Sequence, residues 1–226
     1  MRSRFSVIAP LLAVATVLLL TAGNAAAFSF GKDTIEGSGD METRELDFKE
    51  FDEIEIGGGF DLEITMGDEQ KVTMTIDDNL WDNLEAEVHG RTLEFGWDKN
   101  CQPDGDCTVV IVVRELKGMD IHGAADVEIE GYRGDSFSFD VSGAAELEMD
   151  GEVDQLDINV SGAGDIDTRD LIARSVKVTV SGAGDAKVYA SESFEGRVSG
   201  VGNIHYWGDP EHQKTKVSGL GNIKRK

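Results

Sequence analysis

Apolar and polar residues alternate along most of the second half of the chain. Val176, Val178 and Val180 are separated by Lys177 and Thr179, and Phe137, Phe139 and Val141 by Ser138 and Asp140. A period of two marks a strand with one face buried. Each such run enters a glycine-containing stretch, and six residues beyond its last Val or Ile stands another apolar residue: Leu62, Val127, Leu147, Ile166, Ala186, Ile204 or Ile223. The unit is therefore strand, tight corner, strand. Helical periodicity is absent after residue 85.

The unit repeats. It reads IGGGFDLEI from Ile56, IHGAADVEI from Ile121, VSGAAELEM from Val141, VSGAGDIDT from Val160, VSGAGDAKV from Val180, VSGVGNIHY from Val198 and VSGLGNIKR from Val217. From Ile121 onward the steps are 20, 19, 20, 18 and 19 residues, a period that defines a solenoid. Stacked coils place equivalent side chains ~4.8 Å apart. Val141, Val160, Val180, Val198 and Val217 should then form one buried column, with Phe139, Ile158 and Val178 in the next. The fold class expected is all-β, a parallel β-solenoid with about 19–20 residues per coil.

The first corner glycine, Gly58, Gly123, Gly143, Gly162, Gly182, Gly200 or Gly219, is present in every copy. That predicts a turn residue at positive φ, which glycine adopts freely. Two positions later Phe60, Ala125 and Ala145 stand in the early copies, so glycine is not required there. The pattern reads as scaffold geometry and not as a phosphate loop, because no helix N-terminus follows.

Next in each copy comes Asp61, Asp126, Glu146, Asp165, Asp185, Asn203 or Asn222. Short polar side chains of this kind hydrogen-bond the backbone at turns. A ladder of carboxylates could also hold a cation. Asp126, Asp165 and Asp185 are the weak metal candidates, although calcium-binding repeats have about half this period. No cofactor is expected.

The order FDEIEIGGGFDLEI, KVTMTIDDNLWDNLEAEVHGRTLEF, TVVIVVRELKGMDIHGAADVEI and then serial VSGxGD/N-I copies resembles the head GIN domain family of auto-transporter adhesins, over residues 46–224. That resemblance implies a right-handed parallel β-helix in an exported bacterial envelope protein. Between Ile64 and Ile121 the runs at 71–76, 84–88, 91–95 and 108–113 read as strands of N-terminal coils, with DDNLWDN as a turn or one helical turn.

Residues 1–27 carry Arg2 and Arg4, an apolar run from Phe5 to Leu20, and Ala25-Ala26-Ala27, which reads as a cleaved export signal. Residues 28–43, polar and glycine-containing, read as a flexible lead-in, and 44–226 as the solenoid domain. Membrane contact is expected only through the uncleaved signal. The destination is the periplasm, or the cell surface or medium.

The formal net charge is −23, and loss of the signal, which holds two arginines and no acid, makes the rest more acidic still. Nucleic acid is excluded as a partner, since phosphate binding requires a basic surface. Cys101 and Cys107, in CQPDGDC, are expected to pair as a disulfide in an exported protein. Their spacing is not the CxxC of redox or metal sites.

Nothing reads as a nucleophile elbow, and no catalytic residue is expected. His205-Tyr206-Trp207 with His212 is the densest aromatic and imidazole cluster, and Tyr206 falls in an inward column with Val188 and Met149. Three functions fit. The first is a non-catalytic, adhesin-like module that presents a solenoid face to an envelope protein or a glycan. The second is a polysaccharide lyase or hydrolase of the parallel β-helix type. The third is a self-associating structural envelope protein, although lysines in the terminal IKRK should discourage edge pairing. The oligomeric state expected is a monomer or a weak homo-oligomer.

Overall fold

Alternating side chains and the near-twenty-residue period fold into stacked parallel coils in a computed structural model that describes residues 34–226. The 1–27 signal and the first part of the lead-in lie outside the described residues. In chain order the strands are β1 (Ile35–Glu36), β2 (Met41–Leu46), β3 (Glu53–Ile56), β4 (Gly59–Met66), β5 (Lys71–Asp77), β6 (Leu84–His89), β7 (Thr92–Trp97), β8 (Cys101–Gln102) and β9 (Thr108–Val113). They continue as β10 (Gly118–Ile121), β11 (Ala124–Val141), β12 (Ala144–Val160), β13 (Ala163–Val180), β14 (Ala183–Val198), β15 (Val201–Trp207), β16 (His212–Val217) and β17 (Leu220–Arg225).

Strands β11 to β14 each make a whole coil. The residues after the corner form one side, those before the next corner another, and a short middle side lies between them. Register slips there, between Ile129 and Tyr132 and between Thr168 and Ile172, because coils of unequal length must absorb their extra residues somewhere.

The two long sides stay in strict register. Ile121 pairs with Val141, Val141 with Val160, Val160 with Val180, Val180 with Val198, and Val198 with Val217. The expected aliphatic column therefore exists, and Ile56 and Phe95 extend it toward the N-terminus. Phe139, Ile158 and Val178 form its neighbour, and all three are fully buried. No coil could bury these edges alone, so each is stabilised by the coil above and below.

Toward the N-terminus the parallel coils expected give way to antiparallel pairing. Strand β5 lies antiparallel to both β2 and β9, and β6 lies antiparallel to β7. A two-residue turn joins β6 to β7, with Gly90 at φ +66, and so short a connection can only reverse the chain. Between β5 and β6 a 3-10 turn, Asp78–Asn83, crosses from one face to the other and buries Leu80 and Trp81 against the core.

The lead-in is not a loose segment over its described part. Strand β1 pairs with β8, and β2 pairs with β5 along six residues. The buried Asp77 carboxylate holds the approach, accepting the Gly39 N–H at 2.7 Å and the Asp104 N–H at 3.1 Å.

The corner glycines correct the sequence reading. Among the described residues the glycines at positive φ are Gly39, Gly90, Gly131, Gly151 and Gly208, none of them a corner residue. Coil-to-coil contact demands glycine instead. The Ser161 and Gly162 N–H groups both donate to the Val141 carbonyl, and the Ala163 N–H donates to the Gly143 carbonyl at 2.9 Å, so Gly143 O must lie directly beneath Gly162. A Cβ on Gly162 would collide with that oxygen, and Gly123, Gly143, Gly182, Gly200 and Gly219 meet the same obstruction. Glycine is likewise enforced at the second position in later coils, where Gly184, Gly202 and Gly221 each stack on a preceding glycine carbonyl. In the early coils Phe60, Ala125 and Ala145 point inward there and are buried.

Candidate functional site

Counting five residues back from each corner valine gives Ser136, Gln155, Ser175, Ser193 and His212, and counting three back gives Ser138, Asp157, Lys177, Glu195 and Lys214. Both sets are in register on the side that precedes the corner, with Phe137, Leu156, Val176 and Phe194 turned inward between them. The two outward columns line an open groove of about 1020 Å³ that runs across the coils. Its walls carry hydroxyl and amide groups at one level per coil, which is the strand spacing of ~4.8 Å.

Charge in the groove is paired between coils. Lys177 Nζ lies 2.6 Å from Asp157 Oδ2, and Lys214 Nζ lies 2.9 Å from Glu195 Oε1. The Lys214 hydrogen bond holds the Glu195 carboxyl below its ordinary range. Beside them Asn159 Nδ2 donates to Asp140 at 3.0 Å and to Asp157 at 3.2 Å, yet burial still lifts the Asp140 carboxyl above its ordinary range. At the N-terminal end of the groove the buried Asp52 carboxylate accepts from Lys117 at 2.6 Å and Arg91 at 2.8 Å. Burial alone would raise Asp52, but those two donors overcome it and bring the carboxyl below its ordinary range.

The acidic ladder forms as a ladder. Asp61 pairs with Asp126, Asp126 with Glu146, Glu146 with Asp165, and Asp165 with Asp185, all facing outward next to the corners. Asn203 ends it, donating its backbone N–H at 2.6 Å and its amide at 2.9 Å to Asp185 Oδ1. Asp61, the most enclosed, is raised by burial and then by the Asp126 charge. Among the described residues Asp126, Asp165 and Asp185 do not join any group of three or more metal-binding side chains.

The histidine cluster separates. His205 stands on the side after the corner, in register with Lys187, and burial lowers its pKa. His212 stands on the other side, in register with Ser193. Tyr206 is core, in register with Val188, stacked on Phe194 with ring centroids 4.1 Å apart, and it donates its hydroxyl to Gln213 at 2.8 Å.

The expected disulfide is not formed: Cys101 and Cys107 are both free thiols. Cys101 is half-buried on the short strand β8, whereas Cys107 turns into the core, where burial and nearby carboxylates push its thiol up to about 12. Pairing with β1 and the Asp77–Asp104 bond hold the intervening loop without a covalent link.

A parallel β-solenoid with a broad polar groove is the class of protein these observations define. Residues 50–210 match the family described as putative auto-transporter adhesin, head GIN domain, and the chain belongs to that family. No curated protein sequence matches the chain. Among solved structures, a putative adhesin from Bacteroides fragilis shares the fold, with a TM-score of 0.70 and 24% identity over 85% of this chain and 100% of that one. A putative lipid binding protein from Parabacteroides distasonis is similar at a TM-score of 0.48 and 26% identity, over 84% of this chain and 99% of that one. A putative adhesin from the same species reaches a TM-score of 0.48 at 19% identity, over 86% and 100%.

The corner alignment did not reveal the groove residues, since it follows the most regular part of each coil. The middle side varies in length from coil to coil and hides the equivalence when copies are aligned from the corner forward. Counting backward from each valine recovers it.

Proposed function

We propose that this protein is a non-catalytic, adhesin-like binding module exported to the cell envelope or surface, and that its groove takes an extended, polyhydroxylated ligand such as a glycan chain. The observation that carries this reading is the groove itself. Ser136, Gln155, Ser175 and Ser193 present one donor-acceptor group per coil along a straight path, matched to a ligand that is itself a repeat. The cross-coil pairs Lys177–Asp157 and Lys214–Glu195 neutralise the groove locally within an acidic protein, which favours neutral over anionic polymers. A flat parallel sheet offers contact area with no pocket to close, as recognition without chemistry requires.

The test is a glycan array and an envelope-extract pull-down on the purified protein, repeated with Gln155→Ala/Ser175→Ala. Both side chains point outward, so the fold should survive. A bound glycan that loses at least about tenfold in affinity in the variant, the effect of roughly 1.4 kcal/mol of lost hydrogen bonding, supports the groove. Undiminished binding in the variant overturns it. Depolymerisation of polyuronates, assayed with and without calcium, would overturn the non-catalytic part.

A further inference from the structure

Among the described residues the groove-bearing side is one continuous sheet with an unpaired edge at each end. At one end lies β6, which pairs only with β7 among the described residues, and at the other β16, which pairs only with β14. The outward residues of β6 are Glu85, Glu87 and His89, and those of β16 are His212, Lys214 and Lys216. Between them the outward column next to the corner changes sign along the axis: Glu94, Glu55, Asp120, Asp140, Asn159, Thr179, Arg197, Lys216. One end of the sheet is acidic and the other basic.

Carboxylates stack on one another at the acidic end. Glu87 faces Glu94 across the β6–β7 hairpin, and Glu94 stacks on Glu55. Two imidazoles stand beside them, His89 at 3.5 Å from Glu87 and His122 at 3.3 Å from Glu55. At the basic end Val217, the last residue of the valine column, is 43% exposed, and Leu220 on the same coil is 74% exposed. Its inward neighbours on β16 are therefore short of a covering layer, while β6 presents Leu84, Ala86 and Val88 on its inward side.

Like charges opposite one another destabilise a strand pair and opposite charges stabilise it. Two β16 edges would set Lys214 and Lys216 against lysines, and two β6 edges would set glutamates against glutamates, so self-pairing of like edges is blocked. Unlike edges match. We propose that copies of this protein associate head to tail, with β16 of one copy adding to β6 of the next. Strand β6 runs against the sheet and β16 runs with it, so the new pair is antiparallel. In the register that continues the columns, Lys216 falls opposite Glu87 and diagonal to Glu85, and Lys214 falls diagonal to Glu87. Such a contact is heterologous and does not close on itself, so it yields linear assemblies in which the sheet runs from copy to copy.

The experiment is sedimentation velocity with small-angle scattering on the purified protein, across rising concentration, at low ionic strength and at about 1 M salt, where screening acts beyond about 3 Å. Association that grows with concentration, weakens in salt and keeps a constant cross-section is the expected result. A monomer at all concentrations, salt-insensitive association or a widening cross-section overturns the proposal. Two variants, Glu85→Lys/Glu87→Lys and Lys214→Glu/Lys216→Glu, should each lose at least about tenfold in association constant, as attractive cross-strand pairs become repulsive. Mixing the two, or combining all four changes in one chain, should restore it, because each basic edge again meets an acidic one. Circular dichroism checks each variant's fold, and Glu87→Lys paired with Lys216→Glu repeats the cycle with single changes. Failure of rescue in folded variants sinks the proposal. None of these readouts depends on a glycan in the groove.

Discussion

The carbonyl oxygen of Gly143 lies where a Cβ on Gly162 would have to be. That oxygen accepts the Ala163 N–H, so it cannot move aside without breaking the ladder that holds the two coils together. Gly162→Ala should therefore destabilise the fold by about 1–3 kcal/mol, the usual cost of forcing a methyl group into a packed site. Gly59→Ala is the control. A Cβ there meets nothing within 4 Å, and alanine is native at the same register in Ala124. Urea denaturation of both variants checks the contrast. An unchanged midpoint for Gly162→Ala would show that the coils are not in this contact.

Much of the fold was legible because a solenoid writes its geometry into the spacing of residues. Val160 and Val180 are twenty positions apart and occupy paired places on neighbouring strands. The need for glycine was legible too, but its cause was not. A sequence shows that Gly162 tolerates no side chain, whereas the obstructing atom belongs to a residue nineteen positions earlier. The antiparallel N-terminal strands escaped notice because KVTMTI has the same alternation in either direction, and direction is set by the turns. The groove was hidden for a related reason: Ser136, Gln155, Ser175 and His212 have no single residue type in common, only a distance from the next corner.

Asp52 ties Lys117 and Arg91 to the first coil through a carboxylate that is 2% exposed. Its pKa is lowered in the folded protein, so its contribution is fully present above the unfolded value near 3.8 and is lost as pH falls through the lower folded value. Asp52→Asn should cost about 1.5–3 kcal/mol at neutral pH, the range for hydrogen bonds to a charged group. It should also flatten the fall in stability below pH ~4. Denaturation midpoints at neutral and acid pH measure both effects. Identical acid profiles for the two proteins would remove Asp52 from this role.

Burial separates the two thiols chemically. Thiolate is the reactive form, and Cys107, with its pKa pushed up to about 12, holds almost none at neutral or mildly alkaline pH. Iodoacetamide should label Cys101 first and leave Cys107 unmodified in the native protein, and both should react in denaturant. Peptide mass spectrometry reads the order directly. Equal native labelling would mean that the segment around Cys107 opens far more readily than its packing implies.

A stack of coils distributes stability along its axis, because each coil depends on its neighbours and the last has only one. Ile158 is fully buried between Phe139 and Val178, and Ile158→Ala should cost about 2–5 kcal/mol. Val217→Ala, at the open edge, should stay within about 0.5 kcal/mol. Amide exchange should follow the same order in dilute solution, slowest in β12 and β13 and fastest in β16 and β17. Head-to-tail association adds a second expectation: exchange in β16 and β6 should slow together as concentration rises, while β12 stays constant. Protection gained at β16 without β6 would mean that the basic edge meets some other surface, and the assembly argued above would fall while the solenoid stood.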